Sequence, residues 1–183
     1  MKQNKVEKLL AGVLSISLAM GVNVMPAFAA QVQGPPYEDM SRVYLTKNYE
    51  LANTGTLSPK ETFTFTIDPG TVTDASDDIE AADYRPIVGD VTYAQGEAGS
   101  ANKTRQIEIQ LPKYDSVGVY TYIIHEVAGN SAGVTYYGDA ILLRVTVIEQ
   151  DGKLRIAAVH TEDPESTGEG KKDDFDNLYS TGE

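Results

Sequence analysis

The feature that most constrains this chain is a two-residue alternation of apolar and polar side chains. It recurs in short runs and nowhere gives way to a helical period. Phe63, Phe65 and Ile67 alternate with threonines; Ile107, Ile109 and Leu111 share one face of a later run; Leu143, Val145 and Val147 lie opposite Leu142, Arg144 and Thr146. Side chains at i, i+2 and i+4 share a face only in an extended strand, so these runs read as half-buried strands between Gly, Pro, Asn and Asp punctuation. The expected strands cover residues 42–48, 62–67, 90–94, 104–111, 118–127, 140–149, 153–160 and 174–179. Asp68-Pro69-Gly70 is expected to close the second strand. Residues 71–90 are expected to form a long acidic loop with a short helical turn near 79–82, and Asp151-Gly152 a tight hairpin turn. Seven to nine short strands in about 140 residues predict an all-β fold, an immunoglobulin-like antiparallel β-sandwich.

The strand-bearing region is preceded by a different kind of sequence. Lys2, Lys5 and Lys8 open the chain, residues 9–25 are mostly apolar, and Ala27-Phe28-Ala29 is a small-x-small cleavage site. Residues 1–29 therefore read as a secretory signal peptide. Residues 30–41, with Gly34-Pro35-Pro36, read as a flexible lead-in, and residues 42–180 as the domain. Residues 181–183 read as the start of a linker in a truncated chain, because no sorting signal or hydrophobic tail follows. The whole sequence carries −12 at pH 7. Without the leader's +2 the mature chain carries −14, which argues against nucleic acid and anionic membrane as partners.

The chain has no cysteine, so an exported domain of this kind has no disulfide to close it. His125 and His160, the only histidines, match no zinc spacing and read as exposed strand residues. The acidic stretches 74–78 and 173–176 lack the turn and ligand spacing of a calcium loop and read as solvated. No Ser-His-acid or Gly-x-Ser-x-Gly arrangement occurs, and no cofactor, metal or turnover chemistry is expected.

The alternation also puts polar groups on apolar faces. Lys47 shares a face with Val43 and Leu45 in the first strand, Asn177 with Phe175 and Tyr179 in the last, and Glu126 with Tyr120, Tyr122 and Ile124 in a central one. A buried ammonium must find partners or lose its proton. A neutral lysine held against a primary amide can form a covalent amide with loss of ammonia. A carboxyl group in an apolar pocket can stay protonated, polarise the carboxamide and move protons. Periodicity alone leaves the plainer reading open, since strand lysines usually snorkel outward and glutamates are usually exposed.

The ordered set Val43-Tyr44-Leu45-Thr46-Lys47-Asn48, Thr62-Phe63-Thr64-Phe65, residues 118–126 and Phe175-Asp176-Asn177 resembles the isopeptide-linkage domain of streptococcal major pilins, the FctA-type family. The resemblance spans residues 42–179. It implies an immunoglobulin-like sandwich in a pilus shaft or cell-wall stalk of a Gram-positive bacterium. It further implies a bond between Lys47 and Asn177, promoted once by Glu126. It implies other pilin subunits as covalent partners and a pilus-type sortase that joins them through a lysine shortly before the last strand, where Lys171 and Lys172 lie. The alternative is an adhesin domain binding a host protein or glycan; an added aromatic-lined surface or a large insertion would mark one, and the acidic 71–90 stretch, the only insertion-like one, carries just Tyr84.

Overall fold

The computed structural model describes residues 39–75, 78–166 and 170–181. The leader and residues 30–38 of the lead-in lie outside the described residues. Among the described residues ten strands form: β1 Arg42–Leu51, β2 Glu61–Thr73, β3 Ile87–Val88, β4 Val91–Tyr93, β5 Thr104–Gln110, β6 Gly118–Val127, β7 Val134–Thr135, β8 Ala140–Gln150, β9 Lys153–Glu162 and β10 Asp174–Tyr179. They make two five-stranded sheets, in the orders β3-β5-β1-β10-β7 and β4-β2-β6-β8-β9. The expected sandwich is therefore present, with β6 and β10 bounded as the sequence predicts. The two-residue strands β3 and β7 are too short to leave a periodic signal.

Burial follows the alternation. Leu45, Lys47 and Tyr49 of β1 point inward, as do Tyr120, Tyr122, Ile124 and Glu126 of β6 and Phe175 and Asn177 of β10. Fully burying one large apolar side chain stabilises the fold by about 1.5–3 kcal/mol, which is why register is not free to slip by one residue.

Two features depart from the expectation. First, the long loop begins later than predicted, because β2 runs through Asp68-Pro69-Gly70 to Thr73. Its pairing with β6 shifts register between Pro69 and Val72. This bulge tolerates proline, which cannot donate to a regular ladder. Thr121 stitches it, its Oγ1 accepting from the Thr71 N–H at 2.7 Å and lying 3.0 Å from the Thr71 hydroxyl. A Cβ at Gly70 would fall 2.9 Å from the Thr121 carbonyl oxygen, so the close approach requires glycine. The helical turn inside the loop is a short 3₁₀ segment, Ala81–Asp83.

Second, the sandwich is not wholly antiparallel: β1 pairs with β10 in parallel, with Lys47 opposite Phe175 and Tyr49 opposite Asn177. The first and last strands therefore lie side by side in mid-sheet. At the β8–β9 hairpin, Asp151 and Gly152 both take positive φ, 54° and 71°, as a two-residue turn matching strand twist requires.

The core between the sheets holds two aromatic groups. In the first, Tyr49, Phe63 and Tyr93 pack edge to face at 5.0–5.8 Å, and Phe175 packs on Phe65 at 5.1 Å and on Tyr137 at 5.2 Å. Tyr84, Tyr114 and Tyr120 form the second group at 4.6–5.6 Å.

Candidate functional site

Lys47, Glu126 and Asn177 meet inside the first aromatic group. Each comes from a different strand: β1 and β10 in one sheet, β6 in the other. Lys47 faces Phe175 directly across the parallel pair, but its side chain is long enough to reach the diagonal neighbour two residues on, which is Asn177. The Lys47 Nζ donates to Asn177 Oδ1, and the Asn177 Nδ2 donates to Glu126 Oε1. Glu126 Oε2 lies 3.3 Å from Nζ, and both side chains are wholly shielded from solvent.

The surroundings fix each group. Nζ also donates to the backbone carbonyls of Phe175 at 3.2 Å and Asn48 at 3.3 Å, and stands 4.2 Å from the centre of the Phe63 ring. The ring face attracts the cation without accepting its proton. The Tyr93 hydroxyl donates to the Lys47 carbonyl at 2.9 Å and to that of Lys103 at 2.8 Å, holding this part of β1 from behind. Glu126 Oε1 accepts a second bond, from the Tyr137 backbone N–H at 3.1 Å. That leaves Oε2 outside hydrogen-bond geometry with any group, close to Nζ.

Burial dominates the Lys47 acidity. Loss of solvent pulls its pKa from the ordinary lysine value down to about 8, against the opposing pull of the Glu126 charge. A neutral amine is thereby brought within easier reach near physiological pH. The site therefore holds an amine that can lose its proton, a carboxamide in contact with it, and a carboxyl group touching both ends of the reacting pair.

The structure thus brings together the three residues singled out from the alternation. The Tyr137 amide, the Tyr93 hydroxyl and the Phe63 face were not anticipated, because each reaches the site through the fold and leaves no linear pattern. His125 and His160 are exposed, as expected. Lys171 and Lys172, the two lysines shortly before the last strand, differ in exposure. The Lys171 side chain is 78% exposed, with Nζ 2.7 Å from Asp173. That of Lys172 is 18% exposed, 3.5 Å from Asp139 and 5.1 Å from the centre of the Tyr137 ring.

Comparison with known proteins finds relatives of this chain. Residues 43–180 match the FctA family, described as the Spy0128-like isopeptide containing domain. A curated pilin of Streptococcus pyogenes serotype M1 is 25% identical over 146 residues, covering 78% of this chain and 43% of that protein. The crystal structure of the major pilin from Streptococcus pyogenes superposes with a TM-score of 0.62 at 23% identity, over 79% of this chain and 52% of that one. The T-13 major pilin of Streptococcus pyogenes gives 0.59 at 20% identity, over 79% and 54%. At these identities the structural likeness establishes the fold alone. The chain spans about half the length of the relatives it matches.

Proposed function

Because this chain belongs to the family of Spy0128-like isopeptide-containing domains, we propose that it is a structural domain of a pilus shaft, locked by an amide bond between Lys47 Nζ and Asn177 Cγ. The observation that carries this reading is the buried contact of Lys47, Asn177 and Glu126 across three strands.

The reaction follows from the two faces of one carboxylate. Glu126 Oε2, 3.3 Å from Nζ, takes a proton from the ammonium and leaves a neutral amine and a neutral acid. Burial favours that exchange, since two charges disappear from an apolar interior. The amine attacks Asn177 Cγ, forming the Cγ–Nζ bond. Glu126, already bonded to Asn177 Nδ2 through Oε1, returns a proton to the departing nitrogen. The Cγ–Nδ2 bond breaks, and ammonia leaves. As the amide forms, Nζ gives its second proton to the Glu126 carboxylate, so each chain reacts once and ends with a neutral amide, a neutral Glu126 acid and free ammonia. Packing supplies the proximity that would otherwise cost a bimolecular encounter.

A bond spanning 130 residues of sequence restricts the unfolded chain as a disulfide does, by about 5 kcal/mol in the loop-entropy picture. It also routes tension between the first and last strands through a covalent link rather than through the sheets. That suits a secreted subunit in a cell-surface fibre. For joining subunits, a sortase needs an amine it can reach. The 78% exposed Lys171 fits that role better than Lys172, whose amine lies against Tyr137.

Intact mass tests the central claim. Purified wild type should be lighter than its sequence by one ammonia, and Lys47→Ala, Asn177→Ala and Glu126→Ala should each have full mass. A folded wild type of full mass would remove the cross-link from this domain.

A further inference from the structure

The segment that holds Glu126 is itself held by a second buried carboxylate. Glu61 opens β2 and is 8% exposed, on the same inward face as Phe63. Its Oε1 accepts from the Tyr136 hydroxyl at 3.0 Å, and that hydroxyl in turn accepts from the Ser131 backbone N–H at 3.3 Å. The Tyr136 ring stands edge-on to Phe63 at 6.0 Å, and its hydroxyl leaves no room for a side chain at Gly129. The next residue, Tyr137, gives its backbone N–H to Glu126 Oε1 and packs its ring on Phe175 at 5.2 Å. One peptide unit thus separates a side chain clamped by Glu61 from the amide that orients Glu126.

Packing alone does not account for Glu61. A buried carboxylate is costly unless well partnered, and an apolar residue of similar size would serve a core better. Glu61 has one hydroxyl partner on Oε1, while its Oε2 is buried without one. The neighbouring Tyr49 hydroxyl is also buried and unpartnered, its acidity suppressed by burial and by the Glu61 charge. Such a group is retained at a cost in stability, which points to a task in the geometry it enforces.

We propose that Glu61 is a positioning residue for cross-link formation: by clamping Tyr136 it sets the Tyr137 amide, and through it aims Glu126 Oε1 at the departing nitrogen of Asn177. This rests on the proposed Lys47–Asn177 reaction, and its test separates the two.

The full chain is synthesised in a cell-free system, quenched in detergent at intervals and weighed intact, so that loss of ammonia gives the bonded fraction against time. Glu61→Ala and Tyr136→Phe should slow bonding about tenfold or more, since small misplacements of reacting groups carry penalties of that order. Glu61→Gln, whose amide oxygen accepts the same bond, should stay within about threefold of wild type. Tyr122→Phe, which removes a hydroxyl bonded to Tyr84 and Tyr114 of the other aromatic group, should bond at the wild-type rate although it loses stability. That contrast separates positioning from general destabilisation. In the folded proteins the Tyr137 amide proton should move upfield in Glu61→Ala and Tyr136→Phe, and stay in place in Tyr122→Phe. Should Glu61→Ala fail to fold, Tyr136→Phe removes a single hydroxyl and carries the test. Wild-type rates in Tyr136→Phe, or an unmoved Tyr137 amide, would overturn the proposal while leaving the cross-link intact. A wild type that never loses ammonia would instead overturn the underlying reaction.

Discussion

Strand β6 contributes Tyr120 to one aromatic group of the core and Glu126 to the polar site at the other, and the contrast between its two ends explains what this domain does with buried polarity. Tyr120 and Tyr122 lie four to six residues before Glu126, roughly 13–20 Å along the strand. At the tyrosine end the buried Tyr114, Tyr120 and Tyr122 hydroxyls are neutral and paired. The Tyr122 hydroxyl donates to the Tyr84 carbonyl at 2.5 Å and lies 3.2 Å from the Tyr114 hydroxyl; the Tyr120 hydroxyl donates to the Ser116 carbonyl at 2.8 Å. Burial pushes the Tyr114 phenol up to about 12 and Tyr122 higher still, so neither ionises at physiological pH. At the other end the same kind of aromatic wall encloses an amine, a carboxyl group and a carboxamide, with one carboxylate oxygen outside hydrogen-bond geometry. A satisfied neutral network rigidifies a core. A charged, incompletely satisfied one stores a tendency to react, and loss of ammonia relieves it by removing the buried ammonium.

The comparison breaks most directly at the reactive end. Asn177→Ala removes the bond and should lower the melting temperature by about 10–20 °C, the equivalent of about 5 kcal/mol for a chain of this size. Glu126→Ala should fall further, because Lys47 then loses both its bond and its buried counter-charge. Thermal unfolding of the two variants beside wild type checks this. Equal melting temperatures in all three would mean that neither end is covalently closed.

A pH titration of the unbonded form sharpens the contrast. Burial holds the Lys47 amine of the unbonded fold down to about 8, against the ordinary lysine value of 10.5, and Asn177→Ala keeps that burial while removing the bond. Below pH 8 both states hold the proton, and the full burial penalty is present. Between 8 and 10.5 the unfolded state binds more protons, so stability rises with pH. Denaturant midpoints from pH 7 to 9.5 should therefore increase in Asn177→Ala. They should show no such rise in bonded wild type, where the amine has become an amide nitrogen. A flat profile in Asn177→Ala would mean that Lys47 keeps its proton in the core.

The smallest effect belongs to the tyrosine end. Tyr122→Phe deletes one hydroxyl and leaves the Tyr84 carbonyl and Tyr114 hydroxyl short of a partner, a cost of about 1–3 kcal/mol. Its intact mass should still lack one ammonia. A variant that failed to cross-link would show that the two ends are coupled along β6, and the contrast would lose its meaning.

How much of this was legible beforehand depends on the range of the forces involved. The inward faces of Lys47, Glu126 and Asn177 follow from alternation, which a strand imposes locally through the direction of successive side chains. The Asp151-Gly152 turn is equally local, because positive φ at both central residues selects those residue types. The course of β2 through Pro69 and Gly70 was not legible, since a bulge depends on Thr121, fifty residues away, supplying the bond that the ladder lacks. The covering of Lys172 depends in the same way on Tyr137 from another segment.

By itself, then, the sequence determined which side chains share an apolar strand face, where the tight turn lies, and that an amine, a carboxyl group and a carboxamide stand on such faces in a chain without cysteine. Tertiary structure alone decided that β1 and β10 lie parallel and adjacent, so that Lys47 reaches Asn177 on the diagonal. It alone placed Glu126 against both from the opposite sheet, with Glu61 and Tyr136 behind the amide that orients it. The physical reason is that facing is set residue by residue, whereas contact between groups 51 and 130 positions apart exists only once two sheets have closed around a shared core.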